Sequence, residues 1–277
     1  MTNPSSVRAR SKVLLIATAS VLALSLAGCG SSVSGQGSPT PAAPGSSASG
    51  SSSLQGTVTV FAAASLKESF TAIGKDFEQA NPGTTVTFSF GSSSGLAQQI
   101  IQGAPADVFA SASQKNMQQV VDAEAAADPT PFVKNVLEIA VPKDNPGKVT
   151  GLQDLARPGV KVALCQPQVP CGDLAQKVLA GAQVVVRPAT LESDVKATLT
   201  KVQLGEVDAG LVYVTDVRAA GDKVTGIEIP AEVNAATTYP VAALTGARNA
   251  ALAAAFVRYV LSDAGKAELT DAGFTAP

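Results

Sequence analysis

The sequence predicts an α/β fold built as two lobes with a ligand cleft between them, and three observations carry the prediction. From about Thr57 to Pro277, short β-branched runs alternate with amphipathic stretches, the pattern of sheets covered by helices. That region is roughly 220 residues long, which suits two lobes of about 100 residues each better than one continuous sheet. Its strand-to-helix junctions are rich in Ser and Gly, and ligands in open α/β folds sit at the carboxyl ends of strands.

The elements follow in order. "TVTVFAA" (57–63) reads as a strand, and "LKESFTAIGKDFEQA" sets Leu66, Phe70, Ile73 and Phe77 at helical spacing. "TTVTFSF" is a second strand, with Leu96, Ile100 and Ile101 marking the next helix; "ADVFASA" is a third, followed by a helix through "QKNMQQVVDAEA". A second set begins at "VLEIAVP", with strands at "VKVAL", "AQVVV", "DAGLVYV" and "GIEI" and helices at "GDLAQKVLA" and "SDVKATLTKVQLG". Such alternation predicts parallel sheets. After "YPVAALTG" come two helical stretches, "NAALAAAFVRYVLSD" and "AGKAELTDAG". The chain is expected to cross between lobes near 135–142 and again near 237–245, giving one lobe of 57–137 with 242–277 and another of 138–241.

Ahead of the folding region, Arg8, Arg10 and Lys12 precede the apolar run "VLLIATASVLALSLAG", the order found in a secretory signal peptide. Its end, "LAGC" at 26–29, resembles the bacterial lipobox, whose cysteine is acylated after cleavage. The expectation is a signal peptide over 1–28, lipidation at Cys29, and a flexible tether over 29–56 whose Gly, Ser and Pro bury too little to fold. The mature chain is thereby placed on the extracytoplasmic face of the cell membrane, touching it through the lipid anchor alone. Removing 1–28 leaves 17 basic residues against 22 acidic ones, a net charge near −5. With no basic run and no Trp, nucleic acid is not an expected partner. Cys165 and Cys171 remain as a pair, and in an exported chain they are expected to form a disulfide.

The chemistry concentrates at four junctions, because a helix N-terminus presents unpaired N–H groups and a positive dipole end. In "VFAAASLKES", Ser65 and Glu68 form a Ser-x-x-Glu capping box, and the Ser65 hydroxyl can still donate to a ligand. In "SFGSSSGLAQQI", three serines exceed the one a helix cap needs, and the flanking Gly91 and Gly95 allow close backbone approach. "QVPCGDLAQ" starts a helix beside the expected disulfide, and "LESDVKATL" is expected to be capped by Ser193. Tyr213, ending the strand in "AGLVYVTD", reads either as a core tyrosine with a backbone partner or as a phenol donating into the cleft. No histidine is present anywhere in the chain, so the serines lack the usual base for nucleophilic catalysis.

"VFAAASL", "GSSSGLA", "GAPADVFASA", "VPCGDLA" and "GLVYVTD", in this order and spacing, resemble the molybdate-binding proteins of bacterial ABC importers over essentially all of residues 57–277. The resemblance implies the type II periplasmic-binding-protein fold, two α/β lobes joined by a two-strand hinge and closing on an oxyanion. It assigns the ligand contacts to Ser65 and Ser93 through hydroxyl and backbone groups, to the backbone N–H of Cys171 and of Val195, and to the hydroxyl of Tyr213. It further implies a monomeric binding protein rather than an enzyme, with molybdate or tungstate as ligand and no cofactor. Molybdenum would be held as the oxyanion through hydrogen bonds, with no direct metal coordination, and passed to a permease with its ATPase subunit. The chain departs from the family at Cys171, where relatives often carry alanine, and Glu192 and Asp194 must avoid repelling a dianion beside Val195.

This chemistry is coherent, since molybdate at neutral pH is an unprotonated tetrahedral dianion that needs only donors, and none of the five positions is Lys or Arg. Discrimination against sulfate must then rest on cavity size. The same fold binding sulfate or phosphate is the nearest alternative. A serine hydrolase with Ser93 as nucleophile and a lysine base lacks the motifs such enzymes carry. A purely structural lipoprotein leaves the coincidence of five donor positions without a cause.

Overall fold

Strand and helix alternation in the sequence is realised in a computed structural model that describes residues 54–277. The expected signal peptide, Cys29 and the tether up to residue 53 lie outside the described residues. The first part of the chain forms β1 (Gly56–Ala63), α1 (Lys67–Ala80), β2 (Thr84–Gly91), α2 (Ser93–Ile101), β3 (Val108–Ala110), α3 (Gln114–Asp122) and β4 (Thr130–Pro142). The second part forms β5 (Val162–Cys165), α4 (Pro170–Gly181), β6 (Thr190–Glu192), α5 (Val195–Gln203), β7 (Ala209–Tyr213), α6 (Val214–Ala220) and β8 (Val224–Glu228). The chain then returns through β9 (Ala236–Ala243) to α7 (Ala250–Val260) and α8 (Asp263–Asp271).

The strands lie in the order β2-β1-β3-β9-β4-β7-β5-β6, with β8 also on β4. β1 is parallel to β2 and β3, and β5 is parallel to β6 and β7. The expectation of wholly parallel sheets fails at β4 and β9, which run antiparallel to their neighbours. A strand that enters a sheet from the other half needs no crossover helix, so nothing forces it to be parallel. Residues 130–136 of β4 pair with β9, while residues 137–142 of the same strand pair with β7 and β8. Two α/β halves are thus stitched into one hydrogen-bonded path by two shared strands.

Each half has its own apolar core. On the first, Phe70, Phe77 and Phe256 interlock, with Phe77 and Phe256 edge-to-face at 5.4 Å; on the second, β4, β5 and β7 bury Val, Ile and Leu against α4 and α5. Burying one such side chain contributes about 1.5–3 kcal/mol.

Besides β6 (Thr190–Glu192), a strand the sequence did not announce, two elements depart from expectation. "AQVVV" is not a strand: Val185 is 80 % exposed, and the segment instead closes α4. Gln183 takes a left-handed φ of 56°, its N–H bonds the Ala180 carbonyl, and the Val184 N–H reaches back to Leu179. This Schellman stop uses the valines that propensity assigned to a strand. The other departure is α6, which begins directly after β7 with no turn residue to announce it. Its start is held by the Asp216 carboxylate, whose Oδ2 accepts the Tyr213 N–H at 3.1 Å.

Candidate functional site

Helix geometry divides the three serines of "GSSSG" among three tasks. Ser92 is the N-cap of α2, and its Oγ accepts the Gly95 N–H at 3.4 Å. Ser93, the first helical residue, is buried and lines a small cavity, whereas Ser94 lines the larger polar pocket that shares Ser92 and Pro170 with it. The Ser93 Oγ accepts the Ala112 N–H at 2.8 Å. With that lone pair occupied, the hydroxyl proton is free for a ligand.

The cavity measures about 20 Å³, far below the several hundred Å³ that drug-sized molecules occupy. Ser65, Ser93, Cys171, Val195 and Tyr213 all line it, together with Ala63, Ala64, Gly91, Ser92, Ala112, Pro170 and Asp194. Four of the five occupy the turn between a strand and the helix after it. Ser65 sits between β1 and α1, Ser93 opens α2, Val195 opens α5, and Tyr213 ends β7 at the start of α6. Cys171 is the second residue of α4, so its N–H, like that of Val195, has no acceptor one turn back. Several helix N-termini therefore offer N–H groups and dipoles to one small space, and no Lys or Arg lines it.

Ser65 is placed as expected but held differently. A 3-10 turn over Ala64–Leu66 delays α1, whose N-cap is Leu66 without a side-chain hydrogen bond. The expected capping box is therefore absent. The Ser65 Oγ shares a hydrogen bond with the Tyr239 hydroxyl at 2.9 Å, and Glu68 pairs with Lys196 at 2.7 Å. The cap of α5 also shifts by one residue, from Ser193 to Asp194, whose Oδ1 accepts the Ala197 N–H at 3.0 Å. One oxygen of each acid flanking Val195 is thus engaged, the Glu192 Oε1 likewise accepting the Thr190 hydroxyl at 2.6 Å, although Asp194 still lines the cavity.

Tyr213 is buried, and among the described residues its hydroxyl makes no hydrogen bond of full geometry, the Tyr239 hydroxyl being the protein group that acts on it. An unmade buried hydrogen bond costs about 1–3 kcal/mol, a cost that an anion in the cavity would remove. Burial first, then the neighbouring Tyr239 and Asp216, push the Tyr213 phenol well above its ordinary value, so it remains a donor at physiological pH. Tyr239, Ala112, Lys196 and Asp216 were not singled out in the sequence. Ala112, at the end of "ADVFASA", had a signal there as another strand end, and Lys196 and Asp216 fall inside "LESDVKATL" and "GLVYVTD" without having been given a role.

The Cys165 and Cys171 sulfurs lie at disulfide distance, 2.04 Å apart, with their Cα atoms 5.8 Å apart. A bridge between them closes the loop that carries the Cys171 N–H. Closing so short a loop contributes on the order of 2 kcal/mol in the chain-entropy model, but its position predicts a second effect. In the Cys165→Ser/Cys171→Ser double variant, which keeps the backbone N–H, anion affinity should fall about tenfold, in addition to the loss of global stability. Calorimetry and thermal melts decide it: a lower melting temperature at unchanged affinity would make the bridge a plain staple.

Over residues 58–275 the sequence matches the family described as bacterial extracellular solute-binding protein. It is 41 % identical over 222 residues to the molybdate-binding protein ModA of Mycobacterium tuberculosis (strain ATCC 25618 / H37Rv), covering 80 % of this chain and 85 % of that one. Among solved structures, the periplasmic molybdate-binding protein of Azotobacter vinelandii is similar with a TM-score of 0.72 at 22 % identity, covering 79 % of this chain and 99 % of that one. The sulfate-binding protein SubI of Mycobacterium tuberculosis H37Rv is similar with a TM-score of 0.68 at 20 % identity, covering 79 % and 86 %. At such identities these two structures speak for the fold alone, the type II fold of periplasmic binding proteins. The chain belongs to the bacterial extracellular solute-binding proteins, in the group that includes the molybdate-binding proteins.

Proposed function

We propose that this chain is an extracytoplasmic receptor that captures molybdate, and tungstate with it, and delivers the anion to an ABC importer. The observation that carries the reading is the cavity itself: small, walled by donors from several helix starts, and lined by a buried phenol that, among the described residues, makes no hydrogen bond of full geometry. An unprotonated tetrahedral dianion complements that set, since it offers acceptors on every side. The ligand-binding residues in this reading are Ser65, Ser93, Cys171, Val195 and Tyr213. The lobes are residues 57–137 with 242–277 and residues 138–241, and they close as a hinge on β4 and β9 where the two strands pass between halves. A monomer tethered by lipid at Cys29, with its disulfide maintained outside the cytoplasm, would meet the permease and its ATPase subunit at the membrane. Among the described residues no helix is long and apolar enough to cross a membrane.

A hydrolytic role for Ser93 is disfavoured by its partner, because the Ala112 N–H donates to Oγ and takes no proton from it. The test of the receptor reading is titration calorimetry with molybdate, tungstate, sulfate and phosphate in turn. Tight one-to-one binding of the first two with little heat from the others is expected. Preference for sulfate or phosphate would keep the fold and overturn the substrate, and no binding would overturn the receptor. In Ser93→Ala the affinity should fall by about 1.5–3 kcal/mol, the value of a hydrogen bond to a charged group, with the domain still folded. Equal affinity in that variant removes Ser93 from the site.

A further inference from the structure

The cavity holds no cation, yet one lies immediately behind it. Lys196 follows Val195 on α5, and its Nζ is 2.7 Å from Glu68 Oε2 on α1 and 2.9 Å from Asp216 Oδ1 on α6. Each of the three is a near neighbour of a cavity donor: Glu68 lies one turn after Ser65, Lys196 next to Val195, and Asp216 accepts the Tyr213 N–H. α5 and α6 pack on the half built from β4 to β8, whereas α1 packs on β2 in the other. The Glu68–Lys196 bond therefore crosses the cleft. Among the described residues it is the only ion pair that does so; those of Lys177, Lys201 and Arg157 are local in sequence.

The three partners differ in exposure, and that difference gives them separate parts. The Asp216 side chain is fully buried (0 % exposed), that of Lys196 is 20 % exposed, and that of Glu68 is 48 % exposed. Asp216 and Lys196 belong to the same half and stay paired however the halves move, since separating them would leave a buried carboxylate without its counter-charge. Glu68 can withdraw into water at little cost. We propose that Lys196, fixed on Asp216, is a latch that Glu68 engages when the halves close, so that this pair sets how long the anion is retained. The proposal rests on the receptor reading and adds to it two positioning residues, neither of which touches the anion. Burial works against the Lys196 charge, and Asp216 with Glu68 more than offset it, holding the ammonium above its ordinary value.

The alternative effect of Glu68 has the opposite sign. A carboxylate near a bound dianion repels it, so by repulsion alone Glu68→Gln would slow release and tighten binding. A latch predicts faster release. The experiment loads the full chain in detergent with molybdate, chases with excess tungstate, and follows molybdate retained on the protein by rapid filtration and elemental analysis. Glu68→Gln is expected to release molybdate about three- to tenfold faster than wild type, with the association rate and the ligand-free melting temperature unchanged. Wild-type release should quicken with added salt, and the variant should lose much of that dependence. Glu68→Asp, which keeps the charge on a shorter arm, should fall between the two. Release at the wild-type rate, or slower, in Glu68→Gln overturns the latch. A wild-type chain that retains no molybdate in the same assay overturns the receptor reading instead, and with it the closed anion complex that the latch serves.

Discussion

Replacing Gly172 with alanine is expected to weaken molybdate binding about a hundredfold and lower the melting temperature by about 5–10 °C. A Cβ at this position would lie 1.9 Å from the Gln166 carbonyl oxygen, 2.6 Å from its carbon and 2.9 Å from the Cys165 oxygen. All three atoms are backbone, so no side-chain rotation relieves the clash. A bridge between the two sulfurs, which lie at disulfide distance, would worsen it, because the loop could not swell without carrying the Cys171 N–H away from the cavity. Overpacking of this kind costs about 1–3 kcal/mol and more when the obstacle is main chain. Gly246→Ala is the control, with nothing within 4 Å of its Cβ, and should behave as wild type. Wild-type affinity in Gly172→Ala would show that the α4 N-terminus is not part of the site.

Tyr213→Phe should move stability and affinity in opposite directions. Among the described residues the buried hydroxyl makes no hydrogen bond of full geometry, so removing it relieves at most about 1–3 kcal/mol and should raise the ligand-free melting temperature by about 3–6 °C. The same change removes a donor from the anion and should weaken molybdate binding about ten- to a hundredfold. The ring stays in its edge-to-face contact with Tyr239 at 6.3 Å, so packing changes little. Calorimetry and differential scanning of the same preparation read both effects. A fall in stability at unchanged affinity would make Tyr213 a core residue and take the phenol out of the site.

The two variants probe donors that were both legible in the sequence, for related reasons. A donor at a strand-to-helix junction is defined by a few consecutive residues: a β-branched run, a small or hydroxyl residue, and an apolar pattern at helical spacing. "GSSSG" and "PCGDLA" show all three locally, and the resemblance of five such segments to one family ordered them into a site. The misread junctions were decided by one or two hydrogen bonds. The 3-10 turn at Ala64–Leu66 displaced the cap from Ser65, and Asp194 took the cap from Ser193. Either residue of such a pair can cap a helix, and only the backbone path selects one. "AQVVV" failed for a similar reason, since the termination of α4 outweighed the β-propensity of three valines.

From the sequence alone, then, come the α/β alternation, the two-lobed expectation, the exclusion of a histidine-based catalyst and, through the family resemblance, the five proposed donors. Each depends on residues close together in the chain. Tertiary structure decided what holds those donors: Tyr239 against Ser65 across 174 residues, the Ala112 N–H against the Ser93 hydroxyl, and Glu68 against Lys196 across the cleft. It also decided that, among the described residues, the Tyr213 hydroxyl makes no hydrogen bond of full geometry. Such pairings depend on the register of β4 and β9 between the halves and on how closely the lobes approach. Those are set by the packing of the whole chain, and no local pattern of residues encodes them.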